Sequence, residues 1–193
     1  MLTRNTTVLD FFKTRRSRPA KTLSLPVPTE SELKDILEMA SRSPDHGALV
    51  PWRFIVIEGR DVMDRLATLA QERGEALGMD SERIAKGRGQ FDKGNLAVVV
   101  VEVRKPSPKF PAIEQTYAVG GVCLALVNAA LASGWGANWL TSWASHDREF
   151  CARGLNLAEN ETIAGIIHIG TETTTPPERS RPDVDSITSW MNK

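Results

Sequence analysis

The amino-acid sequence predicts a mixed α/β or α+β domain, and three observations carry that prediction. Four short apolar runs, Phe54–Glu58, Leu96–Val103, Trp135–Leu140 and Glu161–Gly170, read as strands. Segments with helical periodicity or helical composition separate them, so the expected sheet is covered by helices. The 193 residues are enough to bury one substantial core, and a single domain over residues 1–193 is expected.

In chain order, Thr7 is placed to cap a first helix through Val8, Leu9, Phe11 and Phe12. Pro19 stops it, and the basic run Lys13-Thr-Arg15-Arg16-Ser17-Arg18 suits the negative end of a helix. Capping explains one or two of those cations. Four of them around a serine suggest a bound anion such as a phosphate. Lys21–Pro28 reads as an extended linker. Thr29-Glu-Ser-Glu32 matches a capping box, and Leu33, Ile36, Leu37 and Ala40 form one helical face.

The stretch Ser41–Phe54 follows, with Pro44, Asp45, His46, Gly47, Pro51 and Trp52 in a short helix-to-strand connection. It reads either as a plain connecting loop with a buried tryptophan or as a loop that faces a ligand. A further helix starts at Asp61, and the charged, glycine-rich Glu72–Gly94 reads as a mobile helical excursion. Leu96–Val103 is nearly all β-branched. Ile113–Ser133 reads as a central helix whose small residues allow close neighbours, and Gly134 closes it. Ser145 is placed to cap a helix over His146–Leu155, and a Pro- and Arg-rich tail runs from Thr171 to Lys193. That tail is too polar to pack alone and must lie against something.

Twenty-four basic and 24 acidic side chains balance to a formal charge of zero, which argues against general nucleic-acid binding. No apolar leader opens the chain, and Tyr117–Ala132 is short for a membrane span. Cys123 and Cys151 suggest neither a metal site nor a disulfide framework, so a reducing cytoplasm is expected. His46, His146 and His168 are scattered without the local pairing of metal ligands, and no metal is expected. Dinucleotide, P-loop and nucleophile-elbow motifs are missing from the sequence. What remains is an anion site at Arg15–Arg18, aromatic surface from Trp52, Trp135 and Trp139, hydroxyls at Thr141 and Ser142, and a second basic cluster at Arg179-Ser-Arg181. A flavin mononucleotide needs such a set: cations for its phosphate, polar partners for its ribityl chain and apolar faces for its ring.

Three landmarks give the chain a resemblance to the nitroreductase family of FMN-dependent NAD(P)H oxidoreductases, in its compact single-domain branch. They are Arg15-Arg16-Ser17; Ser43-Pro-Asp-His46 with Pro51-Trp52-Arg-Phe54; and Ile163-Ala-Gly-Ile-Ile-His-Ile-Gly-Thr171 with Arg179-Ser-Arg181-Pro182. The resemblance implies an α+β sandwich, a central mixed or antiparallel sheet covered by helices, with a C-terminal extension packed on the partner subunit. It implies a homodimer with FMN at the subunit interface. NADH or NADPH serves as reductant, and a nitroaromatic, quinone or related small molecule as acceptor, in ping-pong fashion. By resemblance, Arg15, Arg16 and Ser17 hold the phosphate, ribityl chain and ring edge, and Arg179 and Arg181 add phosphate contacts. Arg42 and His46 reach the cofactor across the interface, while Trp139, Leu140 and Thr141 flank the ring. No protein acid or base is required, because the flavin N5 carries the hydride.

Many relatives carry Asn and Gln where this sequence has Ala48 and Val50, and a basic residue where it has Pro19. Arg18 either replaces that positive charge or leaves the redox potential lower. The alternative reading is a flavin-binding storage or sensing protein without turnover.

Overall fold

Strand β3 (Leu96–Val103) is the axis of the fold. In the computed structural model of the chain, which describes residues 3–192, it lies between β2 (Trp52–Glu58) and β5 (Glu161–Glu172), antiparallel to both. Strand β4 (Gly136–Leu140) and the two-residue β1 (Leu23–Ser24) also pair antiparallel with β5, which completes a five-stranded sheet. The architecture is α+β, with an antiparallel sheet.

Successive side chains of a strand point to opposite faces, and β3 serves a core on each. Leu96, Val98 and Val100 pack with α2 (Glu30–Ala40) and α5 (Ala112–Ala132). Ala97, Val99 and Val101 pack with α3 (Arg60–Ala76) and α6 (Arg148–Leu155). A strand buried on both faces needs an unbroken apolar run rather than an alternating one, which is what the sequence shows. In β5 the register slips by one residue: Gly165 opposes Val100 and Ile163 opposes Val101, leaving Ala164 as a bulge. The bulge puts Ile163 and Ile166, three apart, into the same core.

The helices follow their local signals, with informative shifts. Asn5, not Thr7, caps α1 (Thr6–Thr14), its side chain accepting from the Val8 amide at 3.2 Å. The helix stops at Thr14, and Arg15, with φ −54° and ψ 140°, has already left it. Arg16 and Arg18 therefore lie beyond the helix end, and Lys13 is the basic residue of its last turn. The Thr29–Glu32 capping box forms as expected. The Lys21–Pro28 linker instead contains a 3-10 turn, Ala20–Thr22, and β1, because the Glu172 end of β5 offers backbone partners. The excursion after α3 contains the helix α4 (Ser81–Arg88), capped by Asp80. Asp147 caps α6 at 2.7 Å from the Phe150 amide, and Ser145 lies in the 3-10 turn Trp143–His146 before it.

Helix α5 is long and apolar enough to cross a membrane by composition, but half of its apolar window is buried against α2, β3, β4 and β5. By contrast, α1 buries none of its residues, leaving Val8 and Phe12 exposed. Beyond β5 the tail touches its own chain at few points. Val184, Ile187, Trp190 and Met191 are exposed, the last two at 81% and 97%.

Candidate functional site

The Arg15–Arg18 segment crosses the start of β4, where the Arg18 amide donates to the Ala137 carbonyl at 2.8 Å. Arg15 is half-buried. Its Nη2 donates to Ser17 Oγ at 3.3 Å, while its Nε is buried with no partner among the described residues. Burial first, then the neighbouring Arg181 and Arg16, push its guanidinium below the usual arginine value. Arg16 donates to the Pro177 carbonyl at 3.3 Å and so ties the tail to this cluster. Arg181 is held by Glu178 at 2.8 Å, which leaves it partly neutralised. An orphan buried donor among three guanidiniums is the setting in which an anion completes the hydrogen bonds and balances the charge. A phosphate fits it.

Two other cations of the prediction behave differently. Arg18 is committed to Glu172 at 3.3 Å, so its charge is compensated within the fold. The Arg179 amide bonds to Glu178, and its side chain makes no ion pair among the described residues.

The far end of β4 carries other expected site residues. Trp139 is 39% exposed, and its Nε1 donates to the carbonyl of the bulged Ala164 at 3.2 Å. Gly165 lets the indole lie flat, since a Cβ there would sit 2.3 Å from Nε1. Leu140 is half-buried and Thr141 exposed. Trp52 and Trp135 do not join them. Trp52 is core, and Trp135 packs against the same cluster, because both flank strands whose inner face meets α2 and α5.

The loop after α2 is built around Asp45, whose two carboxylate oxygens accept the Leu49 and Val50 amides at 2.7 and 3.0 Å. Gly47 turns at φ +84°, and a Cβ there would strike the Phe110 ring at 2.1 Å, so glycine is required. Ala48 and Val50 also have positive φ, 51° and 47°. That backbone suits Asn and is costly for a β-branched side chain. His46 rests on Phe110 with ring centroids 4.0 Å apart, and its Nδ1 lies 2.7 Å from Glu114 of α5. Arg42 is exposed and makes no ion pair among the described residues.

The expected residues therefore fall into two groups. Arg15, Arg16, Ser17 and Arg181 gather in one place, and the same segment meets β4, whose far end carries Trp139 and Leu140 with Thr141 just beyond, through the Arg18–Ala137 backbone bond. Arg42 and His46 sit on the separate loop braced by α5, and no hydrogen bond among the described residues joins the two. Sequence reasoning named Asp45 but gave it no role, and it missed Phe110 and Glu114, which help shape that loop. The Asp-His-Gly tripeptide was the available signal, since Asp before a glycine turn commonly accepts nearby amides. No group of three or more His, Cys, Asp or Glu gathers as a metal centre among the described residues.

The profile of the Nitroreductase family matches residues 13–171. The chain belongs to the nitroreductase family. Within it, the chain is 32% identical over 154 residues to an Escherichia coli K12 protein named "Putative NAD(P)H nitroreductase YdjA", covering 80% of this chain and 83% of that protein. A Haemophilus influenzae protein described in the same terms is 30% identical over 165 residues, 84% and 87% of the two chains. Among solved structures, a nitroreductase-like protein of Bacillus cereus superposes with a TM-score of 0.80 over the whole of both chains at 20% identity. An FMN-dependent nitroreductase of Clostridium difficile gives 0.68 at 17% identity, covering 96% of this nitroreductase-family chain and 99% of its own. At those identities the two structures speak for the shared fold.

Proposed function

We propose that this chain is an FMN-dependent NAD(P)H oxidoreductase of nitroreductase type, acting as a single domain over residues 1–193 and working as a homodimer in a reducing cytoplasm. The observation that carries the reading is the buried, unpartnered Nε of Arg15 within the Arg15–Arg16–Arg181 cluster. A bound phosphate would complete that donor and balance the clustered positive charge. Arg15, Arg16 and Arg181 hold the FMN phosphate, Ser17 orients the ribityl chain and ring edge, and Arg179 adds a further phosphate contact. Trp139, Leu140 and Thr141 flank the ring. FMN, when bound, supplies a ring nitrogen that accepts and later delivers a hydride, so the protein's part is orientation and electrostatics.

Two observations support dimerisation. Helix α1 leaves Val8 and Phe12 exposed among the described residues, and α5 exposes Ile113, Tyr117 and Leu124 along one face. The tail carries Ile187, Trp190 and Met191 uncovered, which suits an extension packed on the partner subunit. In that arrangement Arg42 and His46 reach the flavin from the other chain, consistent with their separation from the arginine cluster. The two buried free cysteines lie in different cores and need no oxidising compartment. A nicotinamide and then a nitroaromatic, quinone or related acceptor use the same ring face in turn.

The test is optical. Purified protein is expected to be yellow and to bleach anaerobically with NADH or NADPH, then recover with an acceptor. Yellow protein that neither nicotinamide bleaches would move the reading to a flavin-binding protein without turnover. Colourless protein that fails to take up FMN would end both.

A further inference from the structure

Helix α4 rests on Trp143, the first residue of the 3-10 turn Trp143–His146 that follows β4. The indole of Trp143 lies under it, Nε1 donating to the Arg83 carbonyl at 2.7 Å, and Gly87 allows the contact because a Cβ there would be 2.5 Å from the ring. Between α4 and residues 140–143 runs a groove of about 550 Å³. Arg83, Lys86, Gln90, Thr141, Ser142 and Trp143 line it, so two cations and several neutral polar groups face it without a carboxylate.

The local charges sort themselves. Arg88 turns to Asp92 at 3.1 Å, and Lys86 bridges Glu82 along the exposed helix at 2.7 Å, a weak pairing. Arg83 makes no ion pair among the described residues. Gln90 is oriented by Ser142, whose hydroxyl donates to its Oε1 at 2.6 Å. The groove is continuous with Leu140 and Thr141, the residues placed at the flavin ring, and therefore opens where a second substrate approaches.

We propose that this groove is a subsite for a phosphate of the reduced nicotinamide nucleotide, with Arg83 its principal contact and Lys86 its second. The proposal rests on the flavin reading above. A nicotinamide over the ring leaves its phosphates to be held elsewhere, and a guanidinium without an acidic partner, on a helix fastened beside the ring, is suited to a charge-assisted, forked contact.

Anaerobic rapid-mixing reduction of the FMN-loaded protein tests it, over a range of NADPH and of NADH, with NADP+ binding followed by calorimetry. Arg83→Gln is expected to raise half-saturation and the NADP+ dissociation constant at least tenfold. The limiting reduction rate should stay within about twofold, and Arg83→Lys should recover part of the loss. The fold is spared because the carbonyl of Arg83, not its side chain, anchors Trp143. A loss confined to NADPH assigns the 2′-phosphate, and an equal loss for both nucleotides assigns the pyrophosphate. Half-saturation unchanged for both in Arg83→Gln and Arg83→Glu overturns the subsite while leaving the flavin reading intact. Wild-type protein that binds FMN but is reduced by neither nucleotide removes the oxidoreductase reading, and the subsite with it.

Discussion

The guanidinium of Arg53 grips both carboxylate oxygens of Glu161, at 2.7 and 2.8 Å, and so ties β2 to β5 across the intervening β3. The Ala158 amide donates to the same carboxylate at 3.0 Å. The Arg53 contact, chiefly, holds the Glu161 carboxyl down at about 2. Glu161→Gln keeps the shape and removes the charge, and is expected to cost about 2 kcal/mol in urea unfolding at neutral pH. The folded value lies below the unfolded one, so this contribution is present above about pH 4.5 and lost as pH falls toward about 2. A variant whose stability matches wild type at pH 7 would refute the coupling.

His168 sets a second acid window. It is 2% exposed on β5, and neither ring nitrogen has a side-chain partner among the described residues; a weak contact with the Gln90 backbone opposes the burial only in part. Burial pushes its imidazole down to about 4. Between that value and the unfolded 6.5 the unfolded chain binds a proton that the native state refuses, so stability rises with pH across the window. Acidification from pH 7 to 4 should remove about 3 kcal/mol through this residue alone. His168→Leu should flatten that part of the stability profile, and an unchanged slope would exclude His168 as its source.

Gly87 is a packing requirement. Alanine would gain roughly 1 kcal/mol in helix propensity, yet its methyl would meet the Trp143 indole at 2.5 Å. The expected net result is a loss of about 1–2 kcal/mol, because the ring is held by its bond to Arg83. In a Trp143→Leu background the same substitution should become neutral or stabilising, which a double-mutant cycle by thermal unfolding will read.

Arg15→Ala should weaken FMN retention by about 1.5–3 kcal/mol, the value of a lost charge-assisted contact. Flavin fluorescence on dilution measures it. FMN affinity equal to wild type would take Arg15 out of the site.

The uncovered face of α1 predicts a dimer in solution. Phe12→Glu places a charge on that apolar surface and should shift sedimentation toward the monomer and release FMN together. A stable, FMN-loaded monomer from the unaltered chain would contradict an interface site.

Much of the fold was legible along the chain. The capping box at Thr29, the apolar run Leu96–Val103 and the helix closed by Gly134 are local signals, and each produced its element within a few residues. The candidate cations were legible too, as an excess beyond what a helix end needs. The two-residue β1 was not, because only the Glu172 end of β5 makes Leu23–Ser24 a strand. Nor was the different fate of three tryptophans: Trp52 and Trp135 went to the core and Trp139 stayed at the surface.

The sequence by itself determined where chain segments become helix or strand and which of them carry charge, since capping, periodicity and β-branching act over a few residues. Only the tertiary structure decided which charges remain available. Arg18 is spent on Glu172 and Arg88 on Asp92, while Arg15 is left with a buried, unpartnered Nε. It likewise decided that the stretch between α2 and β2 is a loop strained at Ala48 and Val50, held by Asp45 and braced on Phe110 and Glu114. Most of these outcomes depend on partners tens of residues away, and burial changes the cost of leaving a charge unpaired, so no local pattern could announce them.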